Sequence, residues 1–250
     1  MKNEWWKEFF NKDYLELYSD KVSEKKTQEE TKLLEEILNK NKVIKVLDLA
    51  CGQGRHSIAL SKEGFNVTGL DYSKDLINIA RQKAKREDLN TNFVEGDMLA
   101  LPFLNQEFDA VINIFTAFGY FSEKKDDEKV ISEVFRVLKP GGIFILDLPN
   151  PNNFFKNFKS SQRETSLNGF EIKTMSDFNP ATKRWDVKIK RRKEDQFSEK
   201  SYGVRIYDKQ EITAMLKNLG LLVKQIYGSF NGEIYASESK RMIILTEKPE

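Results

Sequence analysis

One acid and two glycines between an apolar run and a helical pattern form the first cluster that could do chemistry. In residues 46–60, VLDLACGQGRHSIAL, Asp48 lies in the apolar run, and Gly52 and Gly54 follow with one residue between them. A glycine-rich turn between a strand and a helix lets the backbone approach a bound phosphate or nucleoside closely. The turn therefore predicts a ligand site, and its neighbours decide which ligand it takes.

The turn lacks the features of two common phosphate sites. A dinucleotide motif G-x-G-x-x-G needs a third glycine where Ser57 stands, and no G-K-[ST] follows for a Walker-type loop. Asp48 would repel a phosphate and attract an ammonium group. Asp71, seventeen residues after Gly54 and at the end of the next predicted strand, is placed to accept both hydroxyls of a ribose. A nucleoside with an ammonium group and no phosphate matches this set, and S-adenosylmethionine is such a molecule.

The elements that must position these residues alternate between strand and helix. Strands are predicted at residues 43–49, 66–71, 91–96, 108–115 and 143–148, with helices at 55–63, after Ser73 and from about Glu123. This rhythm is typical of βαβ units in a parallel sheet, whose ligands bind at the carboxyl ends of the strands. The loops after the first four strands therefore converge on one crevice.

The flanking segments complete the predicted architecture. An aromatic stripe predicts a helix over residues 5–18, and Thr27 with Glu30 is predicted to form a capping box that opens a second helix. Residues 169–206 alternate as an antiparallel insertion, after which a helix at 208–220 and strands at 221–230 and 240–247 follow. We predict an α/β fold with a Rossmann-like seven-stranded, mostly parallel sheet, helices on both faces and a small antiparallel β insertion.

The same pattern predicts three regions. Residues 1–40 are expected to form an N-terminal helical cap, residues 41–150 and 207–250 the cofactor-binding domain, and residues 151–206 an inserted β-rich lid.

Four stretches carry a resemblance to a known family. Residues 48–54, DLACGQG, resemble the D-x-G-x-G-x-G motif of class I S-adenosylmethionine-dependent methyltransferases, with Ala50 where the family usually has its first glycine. Asp71-Tyr72, residues 96–98 (GDM) and residues 138–142 (LKPGG) resemble later landmarks in the same order. The resemblance covers about residues 30–150 closely and 207–247 more loosely. It implies a small-molecule type of methyltransferase, with S-adenosylhomocysteine as product.

The resemblance also implies a cofactor site. Gly52 and Gly54 would let the backbone approach the methionine part, Asp71 would take the ribose hydroxyls, and Tyr72 would pack against adenine. The predicted cofactor-binding residues are Asp48, Ala50, Cys51, Gly52, Gly54, Asp71, Tyr72, Gly96, Asp97, Met98, Asn113, Phe115 and Tyr14. No catalytic base is predicted, because in-line displacement can proceed by positioning alone.

The acceptor is predicted to be a small molecule. Enzymes that methylate amino groups of nucleic-acid bases resemble one another in an [N/D]-P-P-[Y/F] turn, and residues 113–116 read NIFT instead. The predicted acceptor-binding residues are Tyr18, Phe118, Tyr120, Asn150, Arg205 and Tyr207.

Three alternatives stay open. An RNA acceptor could bind residues 183–193, which hold seven basic residues against one acid, although Lys188, Lys190 and Arg192 alternate with Val187 and Ile189 as on a half-buried strand with a solvated face. The nucleoside pocket could also serve aminopropyl transfer, or the chain could bind the cofactor without catalysis.

Composition bears on the kinds of partner and site that the protein can have. A net charge of +2 from 41 basic and 39 acidic residues argues neither for nor against a polyanionic partner. Cys51 and His56 are the single cysteine and the single histidine. A cysteine cluster and an intrachain disulfide are therefore excluded, and a metal site is not expected. We expect both side chains to be structural. The sequence has no 18-residue apolar span, so we expect no membrane segment and a cytoplasmic location. We also expect a monomer or homodimer.

Overall fold

The computed structural model describes residues 5–17, 23–167 and 169–250, which form two β-sheets with surrounding helices. The helices are α1 Trp6–Phe9, α2 Lys12–Leu17, α3 Glu24–Lys40, α4 Arg55–Lys62, α5 Lys74–Arg86, α6 Lys124–Val137, α7 Pro151–Asn157 and α8 Lys209–Asn218. The strands are β1 Lys45–Leu49, β2 Asn66–Asp71, β3 Asn92–Glu95, β4 Phe108–Asn113, β5 Leu138–Pro149, β6 Ser161–Leu167, β7 Phe170–Asn179, β8 Arg184–Lys193, β9 Gln196–Arg205, β10 Leu222–Tyr227 and β11 Arg241–Glu247. None of the described helices has the length and apolar character needed to cross a membrane.

The larger sheet has seven strands in the order β10-β11-β5-β4-β1-β2-β3. Strands β1 to β5 pair in parallel, and β11 runs antiparallel to both β5 and β10. The predicted seven-stranded, mostly parallel sheet is confirmed. The strand order reverses between β1 and β4, so the loops after these two strands diverge and leave a crevice at their carboxyl ends.

Both faces of the larger sheet are buried. Val46 and Ile112 pack in one apolar cluster with α3, whereas Leu47 and Val111, their neighbours along the strands, pack in a second cluster with α6. All four side chains are fully buried. Burial on both faces explains why these strands read as continuous apolar runs. It also holds Asp48, near the end of β1, in a fixed position.

The smaller sheet is antiparallel, with the strand order β6-β7-β8-β9. This confirms the predicted antiparallel β insertion after the fifth strand. The N-terminal helices cover one face of it, because Phe9 is buried in a cluster with Ile172, Val187 and Ile189. The aromatic stripe of the N-terminal segment therefore packs on the second sheet.

Two predictions about the N-terminal helices were wrong. The helix expected over residues 5–18 is broken after Phe9, and the side chain of Asn11 accepts a hydrogen bond from the backbone N–H of Tyr14, as a capping residue does. Helix α3 begins at Glu24 with Ser23 as its N-cap, so Thr27 lies inside the helix and does not cap it. Thr27 and its predicted partner Glu30 are buried and face helix α4 instead.

Two elements after β5 were not predicted. Helix α7 begins at Pro151, with Asn150 accepting a hydrogen bond from the backbone N–H of Asn152 as its N-cap. Strand β6 has the sequence SQRETSL and is exposed along six of its seven residues. A polar edge strand carries no hydrophobic alternation, so its pairing with β7 could not be recognised from the pattern.

Candidate active site

A cavity that is partly open to solvent lies at the carboxyl ends of β1, β2 and β4. The predicted site residues that line it are Tyr14, Asp48, Ala50, Cys51, Gly52, Asp71, Tyr72, Met98, Phe115 and Tyr120. The lining also includes Trp6, Phe10, Leu15, Gln53, Arg55, His56, Leu76, Ile114 and Ala117, which were not predicted as site residues. The topology thus brings residues from five separate stretches of chain to one place.

The glycine turn consists of alternate residues with a left-handed backbone. Ala50, Gly52 and Gly54 have φ angles of +59°, +58° and +75°. A Cβ added to Gly52 would meet a single side-chain atom, that of Leu76, at 3.9 Å, so the turn stays open beside the cavity. A Cβ added to Gly54 would lie 2.7 Å from the ring of Phe93, so this glycine permits close packing of α4 and lies outside the cavity.

Ala50 is strained by its left-handed conformation, which costs an L-residue about 1–2 kcal/mol. Ala50→Gly is expected to raise the free energy of unfolding by up to about 1 kcal/mol, because relief of strain exceeds the added entropy of the unfolded chain. Ala59→Gly, inside α4, is the matched control and is expected to cost about 1 kcal/mol. Urea unfolding of both variants tests this, and equal losses would show that Ala50 is unstrained.

Asp71 is a buried acceptor at the end of β2. Its Oδ2 accepts from the backbone N–H of Gly52 at 2.7 Å, and its Oδ1 accepts from that of Ser73 at 2.8 Å. Burial raises the pKa of the Asp71 carboxyl to about 6. Each carboxylate oxygen keeps a further lone pair. The side chain is therefore fixed by the backbone and can still receive two hydroxyl donors, as a ribose requires.

Asp48 is the second buried carboxylate of the cavity, with 2% of its surface exposed. Its Oδ2 accepts a hydrogen bond from the Ser57 hydroxyl at 2.6 Å, which links β1 to α4. Burial raises the pKa of Asp48, although the charge of His56 opposes the rise. A buried acid beside the glycine turn suits the ammonium group of an amino acid. The two acids and the open turn together fit the chemical groups of S-adenosylmethionine.

A buried polar cluster at the same end was not predicted. Glu30 Oε2 lies 2.5 Å from Arg55 Nη1 and 3.0 Å from His56 Nε2, which joins α3 to the start of α4. His56 is therefore held structurally, as expected. A signal existed in the sequence, because Glu30 stands three and four residues before Leu33 and Leu34, on the apolar face of α3.

Aromatic side chains form much of the remaining lining. We call Trp6, Phe10, Tyr14, Phe115 and Tyr120 the aromatic wall. The ring centroids of Phe10 and Tyr14 are 5.0 Å apart, and those of Phe10 and Tyr120 are 5.6 Å apart. The Ser73 hydroxyl donates to the backbone oxygen of Phe10 at 2.6 Å and ties the N-terminal segment to the rim near Asp71. The wall therefore depends on contacts between residues far apart in the chain.

The loop after β4 presents Phe115 through a strained backbone. Phe115 and Thr116 have φ angles of +66° and +60°. Asp147 accepts a hydrogen bond from the Phe115 N–H at 2.8 Å, and Arg241 bonds both Asp147, at 2.7 Å, and the Thr116 hydroxyl, at 2.8 Å. Two consecutive left-handed residues held by a partly buried ion pair are typical of a functional loop.

Three further predicted cofactor residues lie outside the cavity lining. Asn113 is fully buried, and its side-chain amide donates to the backbone oxygens of Leu49 and Ala117. Asp97 accepts from the backbone N–H of Leu99, and a Cβ on Gly96 would lie 2.8 Å from Leu70. These residues shape the loops around the cavity.

Of the predicted acceptor-binding residues, Tyr120 lines the cavity and four others do not. Phe118 packs on Tyr207 in the core with ring centroids 5.7 Å apart, and the Tyr207 hydroxyl donates to buried Asp127 at 2.6 Å. Asn150 caps α7, and Arg205 donates to the backbone oxygens of Thr182 and Ser122. Burial or backbone hydrogen bonding thus occupies these four side chains, and Tyr18 lies outside the described residues.

The basic residues of the insertion contact their own neighbours. Lys188 and Lys190 both reach Glu199, at 2.9 and 3.4 Å. Arg184 donates to the backbone oxygens of Phe121 and Gly203, and the guanidinium of Arg191 lies 4.1 Å from the ring centroid of Phe170. These contacts favour a solvated strand over an RNA-binding face. No group of three or more metal-ligating side chains was found within the described ranges.

Comparisons with known proteins agree with this geometry. A family model described as a methyltransferase domain matches residues 46–142. The putative methyltransferase YqeM of Bacillus subtilis (strain 168) is 26% identical over 215 residues, which cover 82% of this chain and 84% of that protein. A demethylmenaquinone methyltransferase of Thermus thermophilus is 42% identical over 110 residues, but this match covers 43% of the chain and 48% of that protein.

A solved structure agrees in fold. The S-adenosylmethionine-dependent methyltransferase from Clostridium acetobutylicum ATCC 824 superposes with a TM-score of 0.81 at 19% identity, over 95% of this chain and 97% of that one. The two chains share a fold, and in this chain the strand order places the glycine turn after β1 beside Asp71 of β2. The chain is therefore a methyltransferase, with a methyltransferase domain over residues 46–142 and a fold that it shares with S-adenosylmethionine-dependent methyltransferases.

Proposed function

We propose that the chain methylates a small-molecule acceptor that has an uncharged, apolar or aromatic body and lies against the aromatic wall. The observation that carries this proposal is the set of aromatic rings in the cavity lining. The titratable lining residues Asp48, Asp71, Arg55 and His56 stand at the ends of β1 and β2 or on α4. The aromatic wall presents rings instead, and such rings bind the faces of planar or apolar molecules.

The cofactor roles are proposed residue by residue. Asp71 accepts the ribose hydroxyls, Gly52 leaves space for the methionine part, and Asp48 attracts the ammonium group. Tyr72, with 39% of its surface exposed, and Met98 border the adenine end. Support comes from the shared cavity and from the fixed orientation of Asp71 by two backbone N–H groups.

When bound, S-adenosylmethionine supplies a sulfonium-linked methyl group, which passes to the acceptor by in-line displacement. The residues of this chain contribute position, because holding a nucleophile about 3–3.5 Å from its target supplies much of the acceleration. An aromatic face such as that of Phe115 also stabilises a nearby cation. The N-terminal segment over the cavity limits the access of water. We assign no general base.

We propose the same three regions of the chain that the sequence predicts. Residues 1–40 act as a cap, residues 41–150 and 207–250 bind the cofactor, and residues 151–206 form a lid. Support comes from the cluster in which Phe9 and Tyr14 pack with strands of the second sheet. The name of the Thermus thermophilus relative, a demethylmenaquinone methyltransferase, supports an acceptor of low molecular mass. A cytoplasmic location and a monomeric or homodimeric state stay predictions.

A labelled-methyl assay tests the acceptor class. The purified chain is incubated with S-adenosylmethionine labelled in its methyl group and with cell extract separated into small molecules, RNA and protein. We expect label in the small-molecule fraction. Label in the RNA fraction alone would overturn the proposal in favour of the basic insertion, and transfer of an aminopropyl group would overturn the reaction class.

Tyr120→Ala tests the aromatic wall. Because ring contacts contribute about 0.5–1.5 kcal/mol beyond burial, the variant is expected to lower kcat/KM for the identified acceptor about tenfold. Cofactor affinity is expected to change less than about threefold, because Asp71 and the glycine turn are intact. Phe197→Ala is the control, since Phe197 is 65% exposed on β9. An unchanged kcat/KM in Tyr120→Ala would exclude the wall as the acceptor surface.

A further inference from the structure

Arg55 is a cavity residue whose side chain is only partly satisfied. It is the first residue of α4, and its side chain is 10% exposed. Nη1 lies 2.5 Å from Glu30 Oε2 and donates to the Thr27 hydroxyl at 3.1 Å. Nη2 is buried and finds no hydrogen-bond acceptor in the described part of the chain. A guanidinium has five N–H donors, and a buried one without a partner is costly.

Neighbouring contacts hold Arg55 in place. Its guanidinium carbon lies 5.0 Å from the ring centroid of Phe115, a residue of the aromatic wall. Glu30 is shared between Arg55 and His56. Burial opposes the ionisation of Glu30, but the His56 hydrogen bond and the Arg55 charge outweigh it and hold the pKa of Glu30 below its usual value. The guanidinium of Arg55 is therefore held in a fixed orientation. Its Nη1 has partners, whereas its Nη2 has no hydrogen-bond acceptor among the described residues.

The surroundings of Arg55 suit the amino-acid end of the cofactor. Asp48 stands in the same cavity and suits an ammonium group, whereas a carboxylate needs donors. Helix α4 begins at Arg55, so the positive end of its dipole is also there. An arginine fork binds carboxylates in a defined geometry. We propose that Arg55 is the carboxylate-binding residue of the cavity and that it receives the carboxylate of the amino-acid end of S-adenosylmethionine.

This inference rests on the proposed function, because it takes the cofactor to lie with its amino-acid end beside the glycine turn. Arg55 would add a specificity for the ligand's carboxylate that residues 48–54 do not supply. Decarboxylated S-adenosylmethionine, the donor in aminopropyl transfer, keeps the nucleoside, the sulfonium and the ammonium group and lacks only the carboxylate. Arg55 would make the site prefer the carboxylated form, which separates methyl transfer from aminopropyl transfer.

Calorimetric titration of wild type and Arg55→Met with both ligands tests the inference. Wild type is expected to bind S-adenosylmethionine about ten- to a hundredfold more tightly than the decarboxylated form, as a hydrogen bond to a charged group allows. In Arg55→Met the preference is expected to fall to within about threefold. The loss should appear in the affinity for S-adenosylmethionine, with the affinity for the decarboxylated ligand unchanged, as in a double-mutant cycle.

Two further variants distinguish the loss of a ligand contact from a change in the fold. Arg55→Lys keeps a positive charge beside Glu30 but lacks the second arm of the fork, so it is expected to lose most of the preference and retain the fold. Arg86→Met removes an exposed arginine from the end of α5 and is expected to keep the wild-type preference.

Four results would overturn the inference. Equal weakening of both ligands in Arg55→Met would assign Arg55 to the fold alone, and an undiminished preference would exclude it as the carboxylate partner. Unchanged cofactor affinity with loss of methyl transfer would assign it to an acceptor carboxylate. If wild type binds neither ligand, the proposed cofactor site fails, and the inference fails with it.

Discussion

Asp71→Ala is expected to weaken S-adenosylmethionine binding about a hundredfold or more. The Asp71 carboxylate is 8% exposed and is held by the backbone N–H groups of Gly52 and Ser73. Hydrogen bonds to a charged group contribute about 1.5–3 kcal/mol each, and about 1.4 kcal/mol corresponds to a tenfold change in affinity. Two ribose hydroxyls on one carboxylate therefore account for the size of the effect. Calorimetric titration with S-adenosylmethionine and S-adenosylhomocysteine measures it.

The controls separate binding from folding. Asp71→Asn keeps an oxygen acceptor for one backbone N–H and is expected to fold with a reduced affinity. Asp75→Ala, in the first turn of α5, removes an exposed acid and is expected to leave the affinity unchanged. Wild-type affinity in a folded Asp71→Ala protein would contradict the role assigned to Asp71.

The same residue predicts how cofactor binding depends on pH. Burial raises the pKa of Asp71 to about 6, and the ionised form is the better acceptor of two hydroxyls. Affinity is therefore expected to be full above this pKa and to decline as the pH falls below about 6. Asp71→Asn carries no titrating group there, so its weaker affinity should stay level through this range.

The second large effect concerns stability and Asp127. This residue of α6 is fully buried; its Oδ2 accepts from the Tyr207 hydroxyl at 2.6 Å, and its Oδ1 has no hydrogen-bond partner within the described residues. Burial raises the pKa of Asp127 to about 7, against the opposing effects of Tyr207 and Arg205. The native state therefore keeps a proton that the unfolded state has already released.

The sign of the pH dependence follows from this difference. Below the ordinary aspartate pKa of about 3.9 both states are protonated and Asp127 imposes no penalty. Between about 4 and 7 the folded state binds more protons, so its stability falls as the pH rises, by up to about 1.4 kcal/mol per unit. Above about pH 7 the penalty is complete. Asp127→Asn keeps an acceptor for Tyr207 and has no such penalty.

Urea unfolding of wild type and Asp127→Asn at several pH values tests this prediction. The wild type is expected to lose stability relative to the variant between pH 4 and 7, and the variant is expected to be the more stable protein at pH 8. Asp88→Asn, an exposed substitution, serves as the control and should follow the wild-type curve. Parallel curves for wild type and Asp127→Asn would show that the buried acid does not titrate in this range.

The sheet and the cavity residues at the ends of β1 and β2 were predictable because their signals are local. Apolar runs buried on both faces mark β1 and β4, and the turn from Asp48 to Gly54 follows β1 directly. Asp71 ends the next strand, and parallel strands end at the same edge of a sheet. Pairing of neighbouring strands therefore sufficed to bring these residues together, once the pattern had identified the strands.

The tertiary structure decided the rest, because it depends on packing between distant segments. Side chains such as Phe118, Asn150 and Tyr207 follow strands as site residues do, yet core packing and backbone carbonyls occupy them. Helix α3 brings Glu30 to Arg55, and the second sheet holds the N-terminal helices against the loop after β4. The sequence by itself thus determined the strands of the larger sheet and placed Asp48, the glycine turn and Asp71 at the ends of two neighbouring strands. The aromatic wall and the Arg55 cluster arise only when remote helices and the inserted sheet bury their apolar faces together.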